Sequence, residues 1–353
     1  MSSAMSTSRG TVILTGSNGG LGSAIVKQLA DSKFASFHAV YTVRDVNRAP
    51  ELVPDAAHDV VSLDLTDLDN VRQVAEKINA RVSAGKIPPI RALILNAGFQ
   101  DFGKQSWTKQ GLDTTFAANY LGHWLLTLFL LKNMDAIAGR IVVLGSQAHD
   151  PHDPRNASGR AFVDPKYQTI VTDADRFHAI AKGAWSPATE DAGFRGGYRR
   201  YGAAKLFQIM MQHELQARLD ADPDPNLHSK VCVVGVDPGP MATGMQRLAP
   251  WVIRVLFFKV VFPMMAYLAP GRAFLNPTSR AAGDVLGAAG VGSGEASAEE
   301  EGAALPKDGY FQNGVPMETS EESRDGAKRA LVWRETVKLT GLKEGETALV
   351  NWK

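Results

Sequence analysis

The stretch TVILTGSNGGLG, residues 11–22, combines an apolar run, a glycine-rich turn and the start of a helix. Residues 11–15 are typical of a buried strand, and apolar residues then recur at helical spacing from Gly20 to Asp31. Glycines let the backbone turn tightly and approach a pyrophosphate, while the N-terminus of a helix offers free N–H groups and the positive end of its dipole. A glycine pattern placed between a strand and a helix therefore predicts a dinucleotide-binding fold.

The alternation of strand and helix continues along the chain. Further strands are predicted at residues 37–43, 58–63, 91–95, 140–144 and 230–236, and further helices at residues 68–82, 112–134 and 201–219. Strands rich in Val, Ile and Leu that alternate with amphipathic helices are typical of a parallel sheet covered on both faces. We predict an α/β fold of the Rossmann type, a doubly wound parallel sheet. It forms a single domain over residues 11–353, after a flexible N-terminus at residues 1–10.

Three segments depart from this alternation. Residues 147–197 form a long insert, rich in His, Asp, Pro, Gly and Arg, before the predicted helix that carries Tyr201. Residues 244–282 contain the most apolar run of the chain and are predicted to cover the substrate as a lid. Residues 283–305 are rich in Gly, Ala and Glu, which predicts a flexible surface loop.

Composition excludes several classes of protein. The 353 residues are 44% hydrophobic and 21% charged, and the formal net charge of +1 argues against a nucleic-acid partner. The single cysteine, Cys232, rules out an intrachain disulfide and a Cys-rich zinc site, and its apolar neighbours predict a buried thiol. The N-terminus lacks the apolar core of a secretory signal, so we expect a cytoplasmic protein.

The apolar run at residues 251–269 is long enough to suggest a membrane helix. Arg254, Lys259 and Pro263 interrupt it, whereas a spanning helix prefers about 20 uninterrupted apolar residues. A lid over an apolar ligand, or an interfacial helix with a peripheral membrane contact, agrees better with this pattern.

The end of the second predicted strand bears on the choice between NAD and NADP. Binders of NAD usually place an acidic residue there to hold the ribose hydroxyls. This chain has Val43, Arg44 and Asp45 instead, and a guanidinium can pair with a 2′-phosphate through two hydrogen bonds. The alternative is that Arg44 is a solvated surface residue partly neutralised by Asp45. We favour NADP(H).

Tyr201 is the only tyrosine of the chain with a lysine four residues later, at Lys205. Positions i and i+4 share one face of a helix, and an ammonium beside a phenol stabilises the phenolate. We therefore expect a lowered pKa for Tyr201, and a phenol that exchanges a proton with a carbonyl oxygen as hydride is transferred.

Taken together, these motifs resemble the short-chain dehydrogenase/reductase family. The resemblance covers residues 11 to about 245 in the order of the family: TGSNGGLG (15–22), Asp64, NAG (96–98), Asn119 in FAANYLGH, Ser146 after IVVLG, YGAAK (201–205) and PGPMAT (238–243). The tail, with GYF (309–311) and LVWRETVKLTGL (331–342), resembles the longer branch of retinol dehydrogenases and protochlorophyllide reductases.

The resemblance implies roles for four catalytic residues. Ser146 would hydrogen-bond the substrate oxygen, Tyr201 would give or take the proton, and Lys205 would bind the nicotinamide ribose. Asn119 would hold a helix irregularity and a water that relays protons to Lys205. The implied cofactor-binding residues are Gly16, Ser17, Asn18, Gly20, Leu21, Gly22, Arg44, Asp64, Leu65, Asn96, Ala97, Gly98, Tyr201, Lys205, Pro238, Gly239 and Thr243. No metal is required, because proton and hydride account for the chemistry.

The spacing between Ser146 and Tyr201 departs from the family. The two residues lie 55 positions apart, and Ser158 and Ser186 fall between them. We favour Ser146 as the catalytic serine because it directly follows the fifth strand, where ligand sites form in such sheets. Ser158 and Ser186 are interpreted as solvated loop serines.

Histidines in the insert could suggest a metal site. The run at residues 149–153 is suggestive, but no helix face or short turn is predicted to assemble its ligands, so we interpret His149, His152 and His178 as surface residues. His123, in the helix with Asn119, is interpreted as a packing residue.

The sequence thus predicts an NADPH-dependent reductase of a ketone or aldehyde on a bulky hydrophobic substrate, such as a polyketide, a terpenoid or a steroid-like compound. Two alternatives stay open: a non-redox cyclase, isomerase or NADP-sensing binding protein of the same fold, and an NAD-dependent secondary alcohol dehydrogenase. The insert is placed as in the monomeric carbonyl reductases of the family, so we expect it to block dimer formation.

Overall fold

The computed structural model describes residues 9–31, 34, 36–50, 57–223, 231–241, 276–291 and 306–353. Eight strands form one sheet in the order β3-β2-β1-β4-β5-β6-β7-β8. Their bounds are Gly10–Thr15 (β1), Phe37–Val43 (β2), His58–Ser62 (β3), Ile90–Leu95 (β4), Arg140–Leu144 (β5), Cys232–Asp237 (β6), Tyr310–Gln312 (β7) and Val315–Pro316 (β8). The first seven strands are parallel and β8 is antiparallel.

The order of the strands reverses between β1 and β4, which leaves a crevice at their carboxyl ends. In sheets of this kind ligands bind at that crevice. The Rossmann-type fold and all six strands predicted from the sequence are therefore confirmed.

Helices cover both faces of the sheet, and each face has its own apolar core. The helices are Gly20–Leu29 (α1), Leu68–Ser83 (α2), Thr114–Phe116 (α3), Gly122–Leu130 (α4), Ala174–Ala181 (α5), Phe194–Asp220 (α6), Thr278–Ala288 (α7), Glu321–Arg324 (α8) and Gly326–Thr340 (α9). One core joins the sheet to α2, α4 and α6, and the other joins it to α1 and α7. Cys232 is buried in the second core, as predicted, and burial raises the pKa of its thiol.

The helix predicted at residues 112–134 is not continuous. A π-helical turn at Ala117–Leu121 separates α3 from α4, and a 3-10 turn at Leu131–Asn133 ends the segment. Helix α6 begins at Phe194, seven residues before the predicted start, so the last residues of the insert are helical. The rest of the insert contains α5 and two 3-10 helices that begin at Asp-Pro pairs, Pro154–Gly159 and Pro165–Tyr167.

The prediction of a flexible loop at residues 283–305 is wrong for residues 283–288. Residues 283–288 belong to α7, which packs against α1 and buries Val285 and Leu286. The same helix takes residues 278–282 out of the predicted lid, because Ala281 and Ala282 lie in the core. Residues 244–275 and 292–305 lie outside the described residues. At the N-terminus Gly10 already belongs to β1, and residues 1–8 are outside the description.

The C-terminal helix α9 packs on the outer side of α4 and α6. Trp333 meets Trp124 edge to face at 5.2 Å between ring centroids, and Tyr120 Oη lies 2.7 Å from Thr336 Oγ1. Within the described part of the chain, no helix has both the length and the apolar character needed to cross a membrane. The apolar run at 251–269 lies outside that part.

Candidate active site

The glycine-rich turn joins β1 to α1 at the crevice. Gly16 adopts a φ of +68°, in the left-handed region that favours glycine. A Cβ at Gly22 would lie 2.2 Å from the Gly16 carbonyl oxygen, so the helix can pass this close only without a side chain. Ser17 is buried, and its backbone N–H and its hydroxyl both donate to the Thr42 carbonyl at 3.0 Å. The turn is thereby fixed to the end of β2.

The NAG segment lies against the same turn. Asn96 donates through Nδ2 to the carbonyls of Thr15 at 2.8 Å and Gly16 at 3.2 Å. The N–H groups of Asn96 and Ala97 both donate to Thr15 Oγ1 at 2.9 Å. A Cβ at Gly98 would lie 2.6 Å from Asn119 Oδ1. These contacts bring the predicted cofactor residues that follow β1 and β4 together with the predicted catalytic residue Asn119 of the π turn.

The predicted adenosine end lies beyond the carboxyl ends of β2 and β3. Asn18 Nδ2 donates to the Arg48 carbonyl at 3.0 Å, which ties the glycine turn to this loop. The Asp64 carboxylate accepts hydrogen bonds from the N–H and the hydroxyl of Thr66, and Leu65 beside it is buried. Arg44 is exposed.

Asp45 does not neutralise Arg44. Its carboxylate accepts from the Asn47 N–H at 3.0 Å and lies 3.6 Å from the Arg48 guanidinium. Among the described residues, Arg44 has no carboxylate partner.

Asn119 occupies the π-helical turn, at the place where the resemblance implied a helix irregularity. Its side-chain amide pairs with the backbone of Phe99 in both directions: Nδ2 donates to the carbonyl and Oδ1 accepts from the N–H, each at 2.9 Å. The buried side chain therefore fixes the loop that follows β4 to this turn.

Ser146 and Tyr201 meet at the carboxyl end of β5. Ser146 follows that strand and caps the 3-10 turn Gln147–His149, and its hydroxyl hydrogen-bonds Tyr201. Burial nevertheless raises the pKa of Tyr201 above its ordinary value. The lowered pKa expected from the lysine is therefore wrong for this structure, because burial is the largest influence on the Tyr201 pKa, although the Lys205 ammonium lies 5.6 Å from the ring centroid.

Lys205 lies one turn further along α6 and is buried. Its Nζ donates to the Leu144 carbonyl at 2.7 Å and to Gln208 Oε1 at 2.8 Å. Burial lowers the pKa of Lys205 to about 7, and the negative charge of Asp237 acts in the opposite direction.

The segment after β6 closes this part of the crevice. Asp237 is buried, accepts from the Gly239 N–H at 2.9 Å and lies 3.5 Å from Nη1 of Arg155 in the insert. Gly239 has a φ of +70°, and the Pro238 carbonyl accepts from Asn276 Nδ2. Thr243 lies outside the described residues.

His149 and Ser186 are not the exposed residues that the sequence suggested. His149 is 3% exposed: Nδ1 lies 2.7 Å from the Ser146 carbonyl, and Nε2 accepts from the Ser320 N–H. Burial lowers the pKa of His149, so it is a neutral residue that positions the serine loop. Ser186 is buried and accepts from Arg199 Nε, whereas Ser158 is exposed as predicted. Ser186 is thus held inside the insert.

Sequence analysis also missed Gln208, Asp237 and Arg155. Asp237 could have been found from its place at the end of a strand, directly before a Pro-Gly pair. No local pattern distinguishes Gln208 from an ordinary helix residue. No cluster of His, Cys, Asp or Glu suited to a metal ion occurs among the residues that the structure describes.

The arrangement fits a nicotinamide dinucleotide. The glycine turn offers a cradle that side chains would fill, and the half-buried Ser146 and the buried Tyr201 and Lys205 lie at the end of the same crevice. A phenol and a lysine at that position suit exchange of a proton with a substrate oxygen.

Comparisons with known proteins agree with this geometry. The family model described as short chain dehydrogenase matches residues 10–158. The chain is 38% identical to the short-chain dehydrogenase iccH of Talaromyces variabilis, over 98% of this chain and 99% of that protein. It is 26% identical to protochlorophyllide reductase A of Arabidopsis thaliana, over 95% of this chain and 77% of that protein.

Solved structures share the fold. A putative uncharacterized protein from Mycobacterium Paratuberculosis superimposes with a TM-score of 0.58 at 21% identity, covering 96% of both chains. The angucycline C-6 ketoreductase LanV with bound NADP gives 0.55 at 14% identity, covering 87% of this chain and 95% of that one. With the glycine turn, the π turn and the Ser146-Tyr201-Lys205 set in one crevice, and with a relative at 38% identity along almost the whole length, this chain belongs to the short-chain dehydrogenase/reductase family.

Proposed function

We propose that the protein is an NADPH-dependent reductase of a ketone or aldehyde on a bulky hydrophobic substrate, with Tyr201 as the proton donor. The observation that carries this proposal is the convergence of Ser146, Tyr201 and Lys205 at the carboxyl end of β5, beside the glycine turn. A non-redox binding protein has no need for a buried phenol paired with a serine hydroxyl.

The reaction divides between cofactor and protein. The reduced nicotinamide, when bound, supplies the hydride that adds to the carbonyl carbon. Tyr201 donates the proton to the carbonyl oxygen, and an alcohol results. Burial raises the pKa of Tyr201, so the phenol holds its proton at neutral pH and can act as the acid in this direction. Ser146 hydrogen-bonds the same oxygen and orients the carbonyl.

Lys205 and the π turn support the acid. The ammonium lies on the same face of α6 as Tyr201, where its charge stabilises the phenolate that forms when the proton leaves. Asn119 holds the loop after β4 against the crevice. We assign Lys205 to the nicotinamide ribose, Asp64 to the adenine end, and Pro238 and Gly239 to the nicotinamide.

The preference for NADPH rests on Arg44. This exposed guanidinium follows β2, and the neighbouring carboxylate of Asp45 is occupied by Asn47 and Arg48. A 2′-phosphate would therefore meet an uncompensated positive charge.

The size and polarity of the substrate rest on the sequence at residues 244–275. This run is rich in Met, Phe, Leu, Ile and Val, and such side chains suit a pocket that adapts to an irregular apolar molecule. We expect the substrate to be a polyketide, a terpenoid or a steroid-like carbonyl compound handled in the cytoplasm.

The experiment is a coupled comparison of cofactor and substrate. The protein is mixed with NADPH or NADH and with ketones of rising apolar size, and loss of the reduced nicotinamide is followed by absorbance. We expect oxidation of NADPH, with kcat/KM rising with apolar size.

Tyr201→Phe is the decisive variant. It should lower the turnover of carbonyls by about 10²–10⁴-fold while NADPH binding survives, because only the proton is removed. Tyr198→Phe, one turn earlier on α6, is the matched control. Near-normal turnover in Tyr201→Phe would disprove the role of the phenol, and preferential use of NADH would favour the NAD-dependent alternative.

A further inference from the structure

Lys205 is held by two buried hydrogen bonds, one to a backbone carbonyl and one to a side chain, that the reaction itself does not require. Its ammonium has three protons to donate. Two go to the Leu144 carbonyl and to Gln208 Oε1, at 2.7 and 2.8 Å. The third is left for a ligand in the crevice. The second acceptor, Gln208, is a fully buried residue one turn beyond the lysine on α6.

The orientation of the Gln208 amide decides what Lys205 meets. With Oε1 toward the lysine, the amide accepts a proton from the ammonium. With the amide reversed, an NH₂ group would face the ammonium and leave it without that acceptor. The oxygen must therefore face Lys205, and the Nε2 group must point the other way.

His123 lies next to the Gln208 amide nitrogen. Its Nδ1 is 3.2 Å from Gln208 Nε2, and its Nε2 is 3.0 Å from Thr15 Oγ1. Burial lowers the pKa of His123 to about 3, so the ring is neutral and one nitrogen carries a lone pair. A lone pair on Nδ1 accepts from the Gln208 amide, and the proton on Nε2 then faces Thr15.

The opposite tautomer breaks this chain. A proton on Nδ1 would donate to the Asn119 carbonyl at 3.2 Å and would oppose the N–H of the Gln208 amide. The contact to Gln208 therefore requires the tautomer with its proton on Nε2. That proton faces Thr15 Oγ1, whose two lone pairs also accept from the N–H groups of Asn96 and Ala97, so the imidazole N–H shares this acceptor with them.

We infer that Gln208 and His123 are positioning residues that favour the charged form of Lys205 against the effect of burial, with the neutral imidazole fixing the Gln208 amide so that its oxygen faces the lysine. The inference rests on the proposed function only for its consequence, since a charged Lys205 is the form that helps Tyr201. The geometry also links the lysine through His123 to Thr15, where the glycine turn begins.

The titratable groups that face Lys205 come from three elements. Tyr201 belongs to its own helix, His123 to α4, and Asp237 to the end of β6. Asp237 favours the ammonium, and the neutral His123 adds no charge. Gln208 is thus the uncharged group whose removal can be tested while these charges stay in place.

The experiment is an NMR titration of Lys205 in the protein without cofactor. Lysine is labelled with ¹³C at Cε, and the Lys205 signal is assigned by its loss in Lys205→Arg. We expect the Lys205 pKa in Gln208→Leu to fall by about one unit or more, because a hydrogen bond to a charged group is lost. In Gln208→Glu, which keeps the shape and adds a negative charge, we expect it to rise.

Gln212→Leu is the matched control. Gln212 lies one turn further along α6, is equally buried, and bonds to Asp308 and Gly309 instead of to Lys205. Its substitution should leave the Lys205 pKa unchanged. Equal pKa values in Gln208→Leu and Gln212→Leu would overturn the inference, and if Gln208→Leu does not fold, the absence of a rise in Gln208→Glu would do so.

His123→Leu tests whether the imidazole fixes the Gln208 amide. We expect the Lys205 pKa to fall in this variant, and the double variant with Gln208→Leu to fall no further than Gln208→Leu alone, since both act through one contact. Additive falls would overturn the role of His123. A ketone panel without turnover would contradict the proposed function but would not alter these titrations.

Discussion

Arg44 is the residue on which the proposed preference for NADPH depends. It follows β2, is exposed, and has no carboxylate partner among the described residues. Arg44→Asp removes a cation and adds an anion at the expected place of the 2′-phosphate. We expect the ratio of NADPH to NADH affinity to fall by at least about tenfold, since one charge-assisted contact is worth about 1.5–3 kcal/mol.

Arg48→Asp is the control for that variant, because Arg48 is 81% exposed and already pairs with Asp45. Dissociation constants from the fluorescence of the reduced nicotinamide measure both variants. If Arg44→Asp and Arg48→Asp changed the ratio equally, the effect would come from net charge and not from a phosphate site at Arg44.

At the scale of residues, sequence spacing found the groups whose pattern is local. Tyr201 and Lys205 share a helix face because they lie four residues apart, and Ser146 follows a strand. His149 could not be found in this way, because its burial comes from Ser320, which lies far away in sequence. Gln208 and His123 were indistinguishable from packing residues, because their role depends on contacts between α4, α6 and β1.

At the scale of elements, the π turn and the glycine segments bring the crevice together. Gly98→Ala would place a Cβ 2.6 Å from Asn119 Oδ1, which must then move and loosen its two bonds to Phe99. We expect a loss of about 1–3 kcal/mol in the free energy of unfolding, as is usual for overpacking, together with weaker binding of NADPH.

Gly287→Ala is the opposite case within the same protein. Gly287 lies inside α7 with nothing within 4 Å of its would-be Cβ, so the substitution should stabilise the protein by about 0.5–1 kcal/mol. Urea unfolding followed by circular dichroism measures the stability of Gly98→Ala and Gly287→Ala. A Gly98→Ala protein as stable as the parent would show that Asn119 does not hold the loop in solution.

The insert marks the limit of what periodicity can predict. Its helix α5 has only eight residues, and Phe177 and Ile180 give it an apolar face too short to stand out in the sequence. A signal was nevertheless present in the Asp153-Pro154 and Asp164-Pro165 pairs, where the Asp caps a 3-10 helix and the Pro takes its first position. The π turn at Asn119, by contrast, could be expected only from the family resemblance.

At the scale of the whole molecule, buried ionisable groups make stability depend on pH. Burial lowers the pKa of His123 to about 3, so between pH 6.5 and 3 the unfolded chain binds a proton that the native protein does not. The stability contributed by the neutral ring is complete above pH 6.5 and is lost as the pH falls toward 3. His149, whose pKa is also lowered, acts in the same direction.

Lys205 extends the same trend to higher pH. The unfolded chain keeps its lysine proton up to about pH 10.5, whereas the native lysine loses its proton near pH 7. Stability from this group therefore rises between about pH 7 and 10.5.

We expect His123→Gln to flatten the fall in the free energy of unfolding between pH 6.5 and 3, measured by urea unfolding at each pH, with His152→Gln as an exposed control.

We expect the outer surface of α4 and α6 to decide whether the protein pairs with a second copy. Dimers in this family commonly associate through these helices, and in this chain that surface is covered. Helix α9 lies on it, with Trp333 against Trp124 and over the guanidinium of Arg218 at 4.6 Å from the ring centroid. The insert contributes α5, which packs against α9. The sequence suggested the insert as the barrier, and the structure places the C-terminal helix α9 on the same surface.

We therefore expect a monomer by light scattering across a wide range of concentrations. Trp333→Ala should loosen α9, cost about 3–5 kcal/mol in the free energy of unfolding, and expose apolar surface that promotes self-association. Trp107→Ala, at a tryptophan that is 54% exposed, should remain monomeric and stable. A stable dimer of the parent protein, with α6 protected from hydrogen exchange by the second copy, would show that α9 does not occupy this surface in solution. The prediction of a monomer would then be wrong, because α9 and the α6 of a second copy cannot cover the same face of α6.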